Sequence, residues 1–306
     1  MKHKGIICGI LSAICYGIKP FGALPLYEEG VNTASVLFYR FSMAIVILFV
    51  MLLIRKKSMR VKKNEMKVLA SLGILMAIAS ITFYQSFHYM DAGIASTILF
   101  MYPVMVALLM ALCFHERASL LTWVCIAVAV AGVLLLTRTS EGAVVSTLGI
   151  TFVLLSSLSY AIYIVGVNRS SIARMPSAKL TFYALCFGIL IYITRTRALT
   201  DLQLPQSALG WTCAFCLALF PTIISLVTMT ISIRNIGSTS AAILGALEPI
   251  TALLVGSLVF GERLTPRLCV GIVLVLLAVT MLVAGKKIYY VTLRKLRRSH
   301  DERKSL

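Results

Sequence analysis

Few residues in this chain can do chemistry, and most of them stand alone in apolar surroundings. Glu248 is the one carboxylate deep inside an apolar run, whereas Asp91, Asp201 and Asp301, the only aspartates, fall in polar links or the C-terminal tail. Lys19 and Arg40 are cations set in apolar stretches. An ionisable group in hydrocarbon costs several kcal/mol, so its default use is functional. Glu248 can carry a proton, hold an amine or pair with a cation. Lys19 and Arg40 can hold a carboxylate, although Arg40 can also snorkel to a headgroup. Tyr16, Tyr84, Tyr102, Tyr160 and Tyr163 each combine an apolar face with a hydroxyl that needs a partner. Gln85, His88, Ser96 and Thr228 complete the candidate cavity set, with the reservation that helical Ser and Thr often bond back to a carbonyl. Pro20, Pro103, Pro221 and Pro249 interrupt apolar runs. Each removes a backbone donor, so each is a kink or gate that faces protein or a wet cavity.

The same inventory excludes several activities. There is no HExxH and no GxSxG, the apolar runs hold no aspartate pair, and His88 is the only histidine inside one, so enzymatic hydrolysis in the membrane is not expected. All eight cysteines lie in apolar runs, where a free thiol behaves as a small hydrophobe. Cys213 and Cys216 form a CxxC with no histidine or carboxylate within a turn, so no metal, cofactor or redox site is expected.

The elements that must position these residues are membrane helices. The 306 residues are 59% hydrophobic and 13% charged, which rules out a soluble globule. Hydropathy predicts ten spans, at 5–27, 34–54, 68–90, 94–114, 119–137, 147–167, 179–194, 210–233, 239–260 and 267–285. Short links make sequence neighbours antiparallel, and no strand-length alternation supports a barrel. The opening Met1-Lys2-His3-Lys4 imitates a signal peptide, but the apolar run continues to Leu26 and reads as a retained span. Arg55, Lys56, Lys57, Arg60, Lys62, Lys63 and Lys67 mark the second link as cytoplasmic, which puts both termini in the cytoplasm, and a compact chain without a targeting extension favours a bacterial cell membrane. The net charge of +18 is then juxtamembrane, and the tail at 286–306 is expected to meet lipid headgroups and not nucleic acid. At 1.5 Å per residue, Lys19 and Arg40 are expected at a similar height in the outer half, lining an outward-facing cavity, with Glu248 nearer the midplane. A monomer suffices for such a plan, and a dimer is compatible with it.

The chain also repeats itself. Pro103, Phe114, Glu116 and Arg117 return 146 positions later as Pro249, Phe260, Glu262 and Arg263, and near the N-terminus Gly5, Leu11, Ser12 and Tyr16 return 144 positions later as Gly149, Leu155, Ser156 and Tyr160. A first unit at 1–146 and a second at 147–285, of five helices each, would be inverted relative to one another, because an odd count reverses the direction of entry. Inverted repeats with interrupted helices at the midplane are a plan of secondary transporters. Tyr39-Arg40-Phe41, Asp91-Ala92-Gly93-Ile94-Ala95, Tyr102-Pro103-Val104, His115-Glu116-Arg117, Glu248-Pro249-Ile250 and Gly261-Glu262-Arg263-Leu264 give the chain a more specific likeness. It resembles the EamA-type family of the drug/metabolite transporter superfamily over nearly its whole length. His115 stands where that family usually has glycine. The resemblance implies an all-α integral membrane protein of ten transmembrane helices in two inverted five-helix repeats around a central cavity. It also implies export or exchange of small metabolites, such as amino acids or amphiphilic compounds, by alternating access. A channel is the alternative, although one asymmetric chain offers no ring of like residues.

Overall fold

The computed structural model describes residues 2–56, 58–115, 120–136, 146–172, 175–236, 241, 244–262 and 264–284. The described residues are helical, with no strand among them. The helices are α1 (Lys2–Gly17), α2 (Lys19–Glu28), α3 (Thr33–Ile54), α4 (Lys63–Ser86), α5 (Ala92–Leu99), α6 (Tyr102–Cys113) and α7 (Leu120–Leu136). They continue with α8 (Thr147–Arg169), α9 (Ser177–Arg195), α10 (Ala208–Ala218), a π-helical turn (Leu219–Ile224), α11 (Ser225–Ile236) and α12 (Leu247–Phe260). A last helix, α13, covers Pro266–Ala284. Eight helical stretches are long and apolar enough to cross a membrane, and Leu120–Leu136 and Leu247–Phe260 are shorter apolar helices. Glu116, Arg117, Ala118, Arg263 and the basic tail lie outside the described residues.

Proline sets where the long runs break. Pro20 cannot donate to the Tyr16 carbonyl, so the first run divides at Ile18 into α1 and α2. Pro103 likewise divides the fourth run at Phe100 and Met101, and starts α6 at its second residue. Around Pro221 the helix widens into a π turn, and Pro249 stands in the first turn of α12 after the turn at Gly245 and Ala246. Breaks at proline were expected; their form, a new helix start in three of the four cases, follows from proline's fit to the first turn of a helix. The third run differs from expectation in its register. It begins at Lys63 and closes at Ser86, because Lys63, Glu65 and Lys67 extend the helix on a polar turn that hydropathy does not count. His88 therefore lies beyond the helix, in the following turn.

Helix α4 packs against α8 and α9, α3 against α9, α1 against α11 and α12, and α5 against α12. Hydrogen bonds place alternate links at opposite ends of the bundle. At one end, Glu29 accepts from Gln206 N–H (2.9 Å) and from the Ser207 hydroxyl, and Asn32 N–H donates to Gln203 (2.5 Å). The Ser207 hydroxyl holds the Glu29 carboxyl below the usual carboxylate range, with the backbone N–H groups of Gln206, Ser207 and Gly210 adding to it. At the other end, Lys179 donates to the Arg60 carbonyl (2.5 Å) and Tyr183 to that of Met59 (2.6 Å). Leu120 and Leu258, each 81% exposed, belong to an outward apolar surface of a size that water does not tolerate and lipid covers.

The α12 terminus also ties back into the bundle. Gly261, at φ 70°, ends the helix in a left-handed turn that Glu262 N–H closes on the Gly256 carbonyl (3.0 Å). The Glu262 carboxylate then accepts from Ala92 and Gly93 N–H at 2.7 and 3.2 Å, capping the start of α5, where the helix dipole favours an anion. Burial pushes this carboxyl above the usual range, against the Ala92 bond and together with nearby Asp91. At the sequence-matched position after α6, His115 adopts φ 52°, a conformation that costs a Cβ-bearing residue about 1 kcal/mol. His115→Gly is expected to raise stability by about 0.5–1 kcal/mol, read as a higher melting temperature in detergent. An unchanged or lower value shows that this turn is not strained.

Candidate functional site

Breaks in the helices position the site. Pro221 cannot bond the Leu217 carbonyl, and the Thr222 hydroxyl takes that acceptor at 3.1 Å. The same Thr222 oxygen accepts from Arg40 Nε at 3.0 Å, while Arg40 Nη1 donates to the Tyr84 hydroxyl at 3.1 Å. The guanidinium carbon lies 5.3 Å from the centroid of the Tyr84 ring. Arg40 is 4% exposed, so it does not snorkel to a headgroup.

Lys19, 2% exposed, starts α2 just after the first break. Its Nζ stands 3.2 Å from Glu248 Oε1 and 3.4 Å above the centroid of the Tyr16 ring, with Phe83 at 4.6 Å. The two groups expected at different heights are therefore an ion pair. Gly17 permits it: a Cβ there would come within 2.5 Å of the Glu248 carbonyl oxygen and 2.7 Å of Thr251 Cβ, so α1 and α12 approach backbone to backbone at this level. Gly9, two turns earlier in α1, likewise leaves room for Ser232 and Leu244.

A central cavity of about 60 Å³ lies between these groups and is enough for several waters. Tyr16, Lys19, Arg40, Tyr84, Tyr160 and Tyr163 line it, with Pro221 and Thr222 from the π turn. Tyr160 and Tyr163 are stacked with centroids 6.0 Å apart, and Tyr102 meets the edge of Tyr160 at 5.0 Å, in a second layer of the wall. Glu248 joins through Lys19 and is not itself a wall residue. Sequence reading missed Thr222, Ser156 and Phe83. Thr222 was signalled by its place after a proline, since the hydroxyl is next to the carbonyl that the proline frees.

Four expected residues lie elsewhere. His88, beyond α4, stacks on Tyr27 at 4.4 Å and meets Thr33 Oγ1 at 3.2 Å at the end of the bundle. Gln85, one residue from the end of α4, is not in the cavity wall. Thr228 bonds back to the Ile224 and Ser225 carbonyls at 2.8 and 3.2 Å, and Ser96 is buried in α5 with no partner for its hydroxyl. Of the prolines, Pro221 reaches the cavity, while Pro20, Pro103 and Pro249 act at helix starts.

A model of the EamA-like transporter family matches residues 3–138 and again 147–284. The chain belongs to the EamA-like transporter family. It is thus an integral membrane transporter of the drug/metabolite superfamily, a class that acts on small molecules within the lipid bilayer. It is similar to an uncharacterized transporter of Synechocystis, 29% identical over 215 residues, which cover 69% of this chain and 64% of that protein. It is also similar to an uncharacterized transporter of Archaeoglobus fulgidus, 28% identical over 272 residues, 88% of this chain and 93% of that one. A crystal structure with a TM-score of 0.64 and 14% identity covers 92% of this transporter and 96% of its own chain, which shows a shared fold.

Gly17→Ala is expected to force α1 from α12, cost about 1–3 kcal/mol as overpacking does, and weaken transport by separating Lys19 from Glu248. Melting temperature and vesicle flux measure the two effects. Parent-like values for both would show that close approach at Gly17 has no role in holding the pair.

Proposed function

We propose that this transporter is a secondary carrier, an exporter or exchanger of small metabolites, that works by alternating access. The observation that carries the reading is the buried cavity. It is walled by residues 16–99 and 156–226 and has charged groups at mid-bundle that lipid could not accommodate. In this reading the chain has ten membrane helices in two inverted units, 1–146 and 147–285. Both termini and the tail at 286–306 lie on the cytoplasmic side of the cell membrane. Tyr16, Lys19, Arg40, Tyr84, Tyr160 and Tyr163 face cargo, Tyr102 and Glu248 support them, and the breaks at Pro20, Pro103, Pro221 and Pro249 let the cavity reshape. The cavity in its present form holds only several waters, so cargo entry requires that reshaping.

Glu248 is the proton-coupling candidate. A proton on its carboxyl cancels the attraction for Lys19, which loosens α12 from α2 and links protonation to the opening of one side. Flux into liposomes, screened over amino acids, nucleosides and amphiphilic compounds, is expected to saturate and to be stimulated by substrate on the far side. Flux that neither saturates nor responds to counter-substrate would identify a channel. Glu248→Gln is expected to abolish accumulation driven by a pH gradient while sparing exchange; if it accumulates cargo as the parent does, Glu248 carries no coupling proton.

Inversion has its own test. Single cysteines at Ala118 and Leu264 in a Cys-free background are expected to react with an impermeant maleimide from opposite sides, Leu264 from outside. Labelling of both from one side would end the inverted arrangement.

A further inference from the structure

The charges in the cavity do not cancel. Lys19 and Glu248 neutralise one another at 3.2 Å, but Arg40 has no carboxylate partner among the described residues. Its protein partners are two neutral hydroxyls, Thr222 and Tyr84, and two aromatic rings, Phe41 and Tyr84. A guanidinium carries five N–H donors in a planar fork, so these two bonds leave most of the fork unused while the side chain lines the cavity. For a buried guanidinium with spare donors and no counter-charge, an anion is the ligand that both fills the donors and cancels the charge. The bonds to Thr222 and Tyr84 fix the plane of the fork in advance, which lowers the ordering cost of a bidentate carboxylate.

The remaining wall limits what the anion carries. The carboxylate nearest the cavity that could hold a substrate ammonium, Glu248, is already engaged by Lys19, and the positive charges of Lys19 and Arg40 repel a further cation. Tyr16, Tyr160, Tyr163 and Phe83 give the wall aromatic surface that suits a hydrocarbon body. We infer that the cavity selects small monocarboxylates with an apolar body, whose carboxylate sits on the free edge of Arg40, over zwitterions and amines of the same shape. This substrate class rests on the carrier reading above.

Four compounds with one branched hydrocarbon body separate the possibilities: isocaproate, leucine, isoamylamine and isocaproamide. Binding to the purified full chain in detergent is read as thermal stabilisation over a concentration series. Isocaproate is expected to bind at least about tenfold tighter than the other three, and Arg40→Gln to weaken it by about ten- to hundredfold, as loss of a charged hydrogen-bond partner does. If Arg40→Gln does not fold, the series on the parent decides alone. Leucine or isoamylamine binding as tightly as isocaproate overturns the anion assignment and leaves the carrier intact. No stabilisation by isocaproate, in protein that carries another cargo in the liposome screen, overturns it too. If no compound in either experiment binds or moves, the carrier reading fails first and the substrate class falls with it.

Discussion

The structure depends on one constraint: inside hydrocarbon, a backbone carbonyl released by a proline has no water to turn to and must find a partner in the protein. The partners found here build the functional centre. Pro221 releases Leu217, Thr222 takes that carbonyl, and the same oxygen orients Arg40. Pro103 releases Leu99, and the Ser157 hydroxyl from α8 reaches it at 3.2 Å, tying the fourth run to the sixth. The Gly245 carbonyl, four residues before Pro249, accepts instead from Glu248 N–H at 2.9 Å. This local bond orders the turn that carries Glu248, the carboxylate beside the cavity. Broken helices and charged side chains are thus one arrangement and not two.

The Lys19–Glu248 pair shows how such a centre can be kept without a large penalty. Removing either charge alone would strand the other in a water-poor interior, at a cost of several kcal/mol, whereas together the two neutralise one another. The Tyr16 ring below Nζ adds an attraction that is stronger when the cation is desolvated. The gain is conditional on geometry, because it needs α1 and α12 at the distance that Gly17 allows. A pair held this way is sensitive to any change in the spacing of α1 and α12.

Much of this was legible in the sequence. Apolar runs, their breaks at proline and the membrane class follow from composition and from proline's missing donor, and the ionisable residues declare themselves by rarity. Depth along a straight helix was a poor guide to partnership, however. Lys19 and Glu248 were placed at different heights, but a break at Ile18, a close approach at Gly17 and a long flexible side chain brought them together. Hydropathy puts His88 inside a span because its windows do not register a helix that starts on Lys63 and closes at Ser86. Ser96 and Thr228 look the same in sequence as Ser156, since whether a hydroxyl bonds back, bonds across or faces a cavity is decided by helix rotation, and a uniformly apolar helix hides its rotation.

Sequence-matched positions also show how like residues can be put to unlike uses. Pro103 and Pro249 both open a helix, but the carbonyl released before Pro103 is answered by a side chain from another helix and that before Pro249 by its own turn. The first solution fastens α5 and α6 to α8, so movement there must break a hydrogen bond between helices. The second leaves α12 held mainly by its contacts with α1, α2 and α5, by the Lys19 pair and by the Glu262 cap on α5. Both of these ties end on carboxylates, one inside the bundle and one at its end. The attachment of α12 therefore rests on carboxylates at both ties, whereas the matching segment is fastened at Leu99 by a neutral hydrogen bond.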